Sequence, residues 1–166
     1  MANKAAFFDR DGTLNVDKSY LYRIEDFEWM PDAVEAIRAC NKQGFLVIVV
    51  TNQSGVARGY FAEEDVKRLH RWMNGELAKQ GAHIDAFYYC PHHPEAAVDA
   101  YRQDCGCRKP KAGLVEQACR DFLVERGSSF LVGDADRDIE CASRAGIRGV
   151  KYEGGSLLAC VRPCLG

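Results

Sequence analysis

Five short apolar runs, Ala5 to Phe8, Phe45 to Val50, Ile84 to Tyr89, Phe130 to Val132 and Gly149 to Tyr152, alternate with segments of helical periodicity along almost the whole chain. Alternation of this kind implies crossover helices and predicts a doubly wound, Rossmann-like α/β fold, a mostly parallel sheet with helices on both faces. The helices read from about Pro31 to Gly44, Glu63 to Gln80, Leu114 to Leu123 and Ile139 to Ala145, punctuated by Pro at a start and Gly at ends. In the second of them Val66, Leu69, Met73 and Leu77 form the buried stripe, and His70 and Trp72 read as part of the same half-buried face. The 166 residues carry no repeat, so one domain spanning 1–166 is expected.

Charge narrows the partners. With 22 basic and 24 acidic residues, the chain has no polybasic stripe to track nucleic acid or an anionic membrane. The run Phe45 to Val50 is far short of the roughly 20 residues of a membrane helix, and Asp9 arrives before a signal-peptide core could form. The expectation is a cytoplasmic monomer that acts on a small molecule, with neither nucleic-acid nor membrane partner. Its eight cysteines would then be reduced. Cys40, Cys119 and Cys141 lie in helical patterns and read as small buried hydrophobes, while Cys160 and Cys164, in a short tail, receive no role.

Chemistry concentrates where strands should end. Asp9-Arg10-Asp11-Gly12-Thr13 follows the first apolar run, offering a paired nucleophile and acid two residues apart, and Gly12 permits a sharp turn. After the second run, Thr51-Asn52-Gln53-Ser54-Gly55 supplies the hydroxyl and backbone N–H donors that a phosphoryl oxygen requires. Arg108-Lys109-Pro110-Lys111 is a dense positive cluster just before a helix, where an ammonium would offset phosphate charge and a guanidinium could hold a second anionic group. Gly133-Asp134-Ala135-Asp136-Arg137-Asp138 places carboxylates at another strand end, hard oxygen ligands that suit Mg²⁺. Asp134, nearest the strand, is the expected ligand; Asp136 and Asp138 read largely as an acidic first helical turn.

A second constellation is Cys90-Pro91-His92 with Cys105-Gly106-Cys107. Three thiolates and an imidazole would make a closed tetrahedral, structural Zn²⁺ site; packed cysteines or a disulfide are the alternatives. His93 competes with His92, which is preferred. The loop, about 90–109, ends at Arg108, so a metal there would stiffen the segment that delivers Arg108 and Lys109. Between Thr13 and Trp29 an aromatic and charged stretch, about 13–30, reads as a flap or a surface hairpin.

D-x-D-G-T, a strand ending in Thr, a Lys before a helix and G-D-x-x-x-D, in this order over residues 5 to 152, resemble the haloacid dehalogenase superfamily of phosphohydrolases. The resemblance implies that Asp9 is a nucleophile forming an aspartyl-phosphate, that Asp11 is the general acid and then base, and that Thr51 and Lys109 steady the phosphoryl group. It also implies Mg²⁺ on Asp9, the backbone carbonyl of Asp11, and Asp134. Adding T-N-Q-S-G-V-A-R-G, C-P-H-H-P and C-x-C-R-K-P, the chain is similar to the D-glycero-D-manno-heptose-1,7-bisphosphate 7-phosphatases, close relatives of histidinol-phosphatases. That likeness implies removal of the 7-phosphate of a sugar bisphosphate in ADP-heptose synthesis for lipopolysaccharide core or surface glycan, with Asn52, Gln53, Ser54 and Arg108 contacting substrate. Relatives carry a basic residue after the fourth-motif Asp, where this chain has Ala135, with Arg137 as the candidate replacement. No gap between motifs holds a large cap domain. Histidinol-phosphate hydrolysis is the alternative, and a non-catalytic zinc-binding module the remote one.

Overall fold

The computed structural model describes residues 2–166. Five strands, β1 (Ala5–Phe8), β2 (Leu46–Asn52), β3 (Ala86–Cys90), β4 (Phe130–Gly133) and β5 (Arg148–Lys151), form one sheet in the order β3-β2-β1-β4-β5. Every pairing is parallel. The expectation of a mostly parallel sheet is met, with boundaries shifted by one or two residues in every strand but β1: β2 starts at Leu46 and runs on to Asn52, β3 begins at Ala86, two residues later than the apolar run, and ends at Cys90, β4 gains Gly133, and β5 starts and ends one residue earlier. Ile84 is still buried, but Asp85 accepts from the Val47 N–H and turns the chain into the sheet.

Helices α1 (Ala33–Lys42), α2 (Glu63–Ala78), α3 (Gly113–Phe122), α4 (Asp136–Ala145) and α5 (Leu157–Val161) cover both faces. Side chains alternate across a strand, so Ala6, Phe8, Val47 and Val49 pack with α1, α2 and α5, whereas Ala5, Phe7, Ile48 and Val50 pack with α3 and α4. Each of these eight residues has zero exposure. Burying one side chain of Val, Ile or Phe size contributes about 1.5–3 kcal/mol, so two dry layers anchor β1 and β2 firmly at the centre. The helix α4 starts at Asp136 rather than near Ile139, because Asp138 caps it by accepting from the Ala135 N–H at 3.2 Å. The tail contains the short helix α5, held by Ser156 at its N-cap, and Cys160 and Cys164 pack partly buried against the core. Cys40, Cys119 and Cys141 are buried, as expected.

From β1 the chain winds outward through β2 and β3, then crosses to β4 and β5 on the other side. The reversal lies between β1 and β4, and in such sheets ligands bind at the carboxyl ends beside that switch point.

Candidate active site

The ends of β1, β2 and β4 bring together the three motifs that lie far apart in sequence. Asp9 continues from β1 and its N–H donates to the Val132 carbonyl on β4 at 2.9 Å. Thr51 and Asn52 end β2, and Asp134 follows β4. Gly12 takes φ +89°, and a Cβ added there would overlap the Asp134 carboxylate. Only glycine lets the D-x-D turn lie directly against the fourth motif.

Lys109 reaches into this junction with 2 % exposure. Its ammonium donates to Asp9 Oδ1 at 2.7 Å, to Asp138 Oδ1 at 2.6 Å and to the Val50 carbonyl at 2.9 Å, which uses all three of its protons. Burial opposes the charge on Lys109, yet the Asp9 and Asp138 carboxylates outweigh it and hold the ammonium above its ordinary pKa. For Asp9 burial dominates and, with Asp138 and Asp11 adding repulsion against the attraction of Lys109, pushes the carboxyl up to about 7. Such a group needs a further positive charge to remain an anion.

The oxygen atoms show where that charge would sit. A carboxylate oxygen from each of Asp9, Asp134 and Asp138 lies within 4.8 Å of the other two. Both Asp138 oxygens are already taken, by Lys109 and by the Ala135 N–H. Among the described residues, Asp9 Oδ2 and Asp134 Oδ1 are buried and meet no donor. These two orphaned anionic oxygens fit a hard divalent cation, and Asp138 serves instead as the anchor of Lys109.

Seven of the expected site residues line one open cavity, and Lys109 and Asp134 are not among its lining residues. Asp9, Asp11, Thr51, Asn52, Gln53, Ser54 and Arg108 all line it, with Asp17, Ser19 and Tyr20 from the 13–30 segment and Arg137 from α4. Thus the residue proposed from sequence to compensate for Ala135 does face the site. Asn52 also clamps the Lys109 backbone, because its side chain accepts from the Lys109 N–H at 2.9 Å and donates to the Lys109 carbonyl at 3.2 Å. Gln53, 3 % exposed, donates to Asp11 Oδ2 and Thr51 Oγ1. Arg108 Nη1 is buried and, among the described residues, without an acceptor. The 13–30 segment folds back by pairing Asn15 with Trp29, and Ser19 and Tyr20 within it adopt positive φ beside the cavity.

The second constellation also assembles. The sulfur of Cys107 lies 2.7 Å from that of Cys90 and 3.2 Å from that of Cys105, and 3.5 Å from His92 Nδ1. All four cysteine and histidine donor atoms fall within 4.8 Å of one another, and none of the cysteines forms a disulfide. Hydrogen bonding by Cys107 lowers the Cys90 thiol to about 5. Three sulfurs and one imidazole nitrogen fit a tetrahedral Zn²⁺. His93 is turned away, its Nδ1 accepting from the Glu95 N–H. Tyr101, in the same loop, donates to Glu63 of α2, which also accepts from Tyr89, so Glu63 ties the middle of the loop to the strand that precedes it.

Two functional positions are not evident from the sequence. Asp138 reads there largely as a helix-dipole residue, whereas it has zero exposure and holds Lys109; its place four residues after Asp134, in the first turn of the helix that leaves the strand end, is the available signal. Arg10, between the two motif carboxylates, is also fully buried and binds Asp11 through Nε and Nη2 at 3.1–3.3 Å.

A parallel sheet carrying a buried Asp–Lys–Asp triad at its switch point and two orphaned carboxylate oxygens defines a haloacid dehalogenase-like phosphatase. Residues 4–147 match the family described as polynucleotide kinase 3 phosphatase. A D-glycero-beta-D-manno-heptose-1,7-bisphosphate 7-phosphatase of Rhodopseudomonas palustris is 48 % identical over 150 residues, covering 90 % of this chain and 83 % of that protein. The Escherichia coli protein of the same name is 44 % identical, covering 86 % and 75 %. Among solved structures, D,D-heptose 1,7-bisphosphate phosphatase from B. bronchiseptica, complexed with magnesium and phosphate, is 30 % identical with a TM-score of 0.82, covering 96 % of this chain and 86 % of that one. The chain belongs to the heptose-1,7-bisphosphate 7-phosphatase family. Among the described residues, no helix is long and apolar enough to cross a membrane.

Proposed function

We propose that this protein is a Mg²⁺-dependent phosphatase that removes the 7-phosphate of D-glycero-β-D-manno-heptose 1,7-bisphosphate, in the cytoplasm and as a monomer, on the route to ADP-heptose. The observation that carries the reading is the buried Asp9 carboxylate, one oxygen held by Lys109 and the other orphaned beside Asp134. Bound by Asp9, Asp134 and the Asp11 carbonyl, Mg²⁺ would offset the charge between the carboxylate and a phosphate dianion.

Asp9 is the nucleophile: its oxygen forms the new bond to phosphorus as the bond to O7 breaks, leaving an aspartyl-phosphate. Asp11 delivers a proton to the departing O7 and then takes one from the water that hydrolyses the acyl phosphate. Thr51 holds a phosphoryl oxygen, while Lys109, its three protons engaged by Asp9, Asp138 and the Val50 carbonyl, fixes the nucleophile and supplies positive charge behind it. Ser54, Arg108 and Arg137 line the outer cavity, where two guanidinium groups suit the distal 1-phosphate. Cys90, His92, Cys105 and Cys107 hold a structural Zn²⁺ that stiffens the loop leading to Lys109. The matched family name points to polynucleotide ends, but a net charge of −2 gives no electrostatic footprint for a polyanion. Histidinol phosphate remains the competing small substrate, since it would use the same catalytic groups.

The test is kcat/KM with Mg²⁺ for the β- and α-heptose bisphosphates beside histidinol phosphate, with the released phosphate located. A preference of about a hundredfold for the β-bisphosphate, with loss of the 7-phosphate, is expected. Equal or better turnover of histidinol phosphate overturns the substrate, and an active Asp9→Asn variant overturns the mechanism.

A further inference from the structure

Arg10 is buried with its charge, so every face of its guanidinium needs a partner. One edge holds the Asp11 carboxylate, and Nη2 also donates to the Leu21 carbonyl at 3.0 Å. The remaining nitrogen, Nη1, lies 3.1 Å from His70 Nε2 on α2. Arginine is always a donor, so His70 Nε2 must accept, which leaves the proton on Nδ1 and the ring neutral. Burial first, and the Arg10 charge second, hold the imidazole well below its ordinary pKa. The ring lies flat on Phe87 of β3, centroids 4.2 Å apart and planes at 12°, so its direction is set by the sheet. An aliphatic residue would serve the core at this position equally well, but it would leave Nη1 unpaired in a dry site, at a cost of about 1–3 kcal/mol.

We propose that His70 is a positioning residue for the phosphatase reaction. By accepting from Nη1 it fixes the plane of the guanidinium, whose opposite edge orients Asp11, together with Asn15 at 3.0 Å and Gln53 at 3.0 Å, for proton transfer at the cavity wall. The inference rests on reading Asp11 as the acid and base. It separates two classes of substrate. An alkyl phosphate such as the sugar bisphosphate needs a proton on its leaving oxygen, whereas p-nitrophenyl phosphate expels a stable phenolate without one.

The experiment is kcat/KM on both substrates for wild type, His70→Leu, His70→Gln and Asp11→Asn. In His70→Leu the alkyl value should fall about tenfold with KM within roughly twofold, while the aryl value stays within roughly twofold. His70→Gln, which places an amide oxygen near the Nε2 position, should recover most of the loss. Equal losses on the two substrates, or no loss on either, overturn the positioning role. If His70→Leu does not fold, His70→Met, of similar volume and with only a weak acceptor, is read by the same criterion. Selective loss in Asp11→Asn without selective loss at His70 defeats this inference alone; absence of selective loss in Asp11→Asn defeats the assignment of Asp11 beneath it.

Discussion

Replacing Asp138 by Asn probes the Lys109 anchor at almost constant shape. The carboxylate serves two donors, Lys109 Nζ at 2.6 Å on Oδ1 and the Ala135 N–H at 3.2 Å on Oδ2. Asparagine offers one acceptor oxygen and one NH₂ group, so one of these donors must face another donor. In a residue with zero exposure no water relieves the conflict, and an orphaned donor costs about 1–3 kcal/mol. Lys109 also loses one of its two anionic partners, although Asp9 remains at 2.7 Å, so the cost should stay below the about 3–5 kcal/mol of a fully broken buried pair. The sum is about 2–4 kcal/mol, which for a chain of this size lowers Tm by roughly 5–15 °C. Denaturant unfolding of Asp138→Asn, Lys109→Met and the double variant supplies both the loss and a coupling energy, expected to exceed about 1 kcal/mol. A single-variant loss below about 0.5 kcal/mol, or additive single losses, would refute the argument that Asp138 holds Lys109.

Metal removal and pH address the other two constellations. Cys107→Ala should lower zinc from about one equivalent to a small fraction and make the melting temperature insensitive to chelator, while Asp9 chemistry persists; metal analysis showing full zinc in the variant would remove the assignment. His70 is neutral in the fold with its pKa depressed from 6.5, so below that pH the unfolded chain binds the proton first. Its contribution to stability is therefore complete above about pH 6.5 and declines by about 1.4 kcal/mol per unit as the pH falls toward the folded pKa. Unfolding free energies of His70→Leu between pH 7 and 5 should lack this slope relative to wild type; parallel curves would count against it.

Much of the site could be read along the chain because its chemistry is written in local patterns. Two carboxylates after an apolar run, a polar loop after the next and a carboxylate after the fourth mark strand ends, and parallel strands share one carboxyl edge. The spacing of Cys90, His92, Cys105 and Cys107 likewise announces two chelating pairs. His70 illustrates where that legibility stops: its helical position forecasts burial, but nothing in the sequence says that Arg10, sixty positions away, will be the group buried against it.

What the sequence by itself determined is therefore the alternation of strands and helices, the identity of the reactive groups and their attachment to strand ends. Periodicity and composition act over a few residues and suffice for that. Tertiary structure decided which groups meet: that the Lys109 ammonium bridges Asp9 and Asp138, that Gly12 makes room for Asp134, and that His92 rather than His93 turns toward the thiols. Those choices follow from strand order and burial, because an ion taken out of water must find its partners wherever the packed sheet places them.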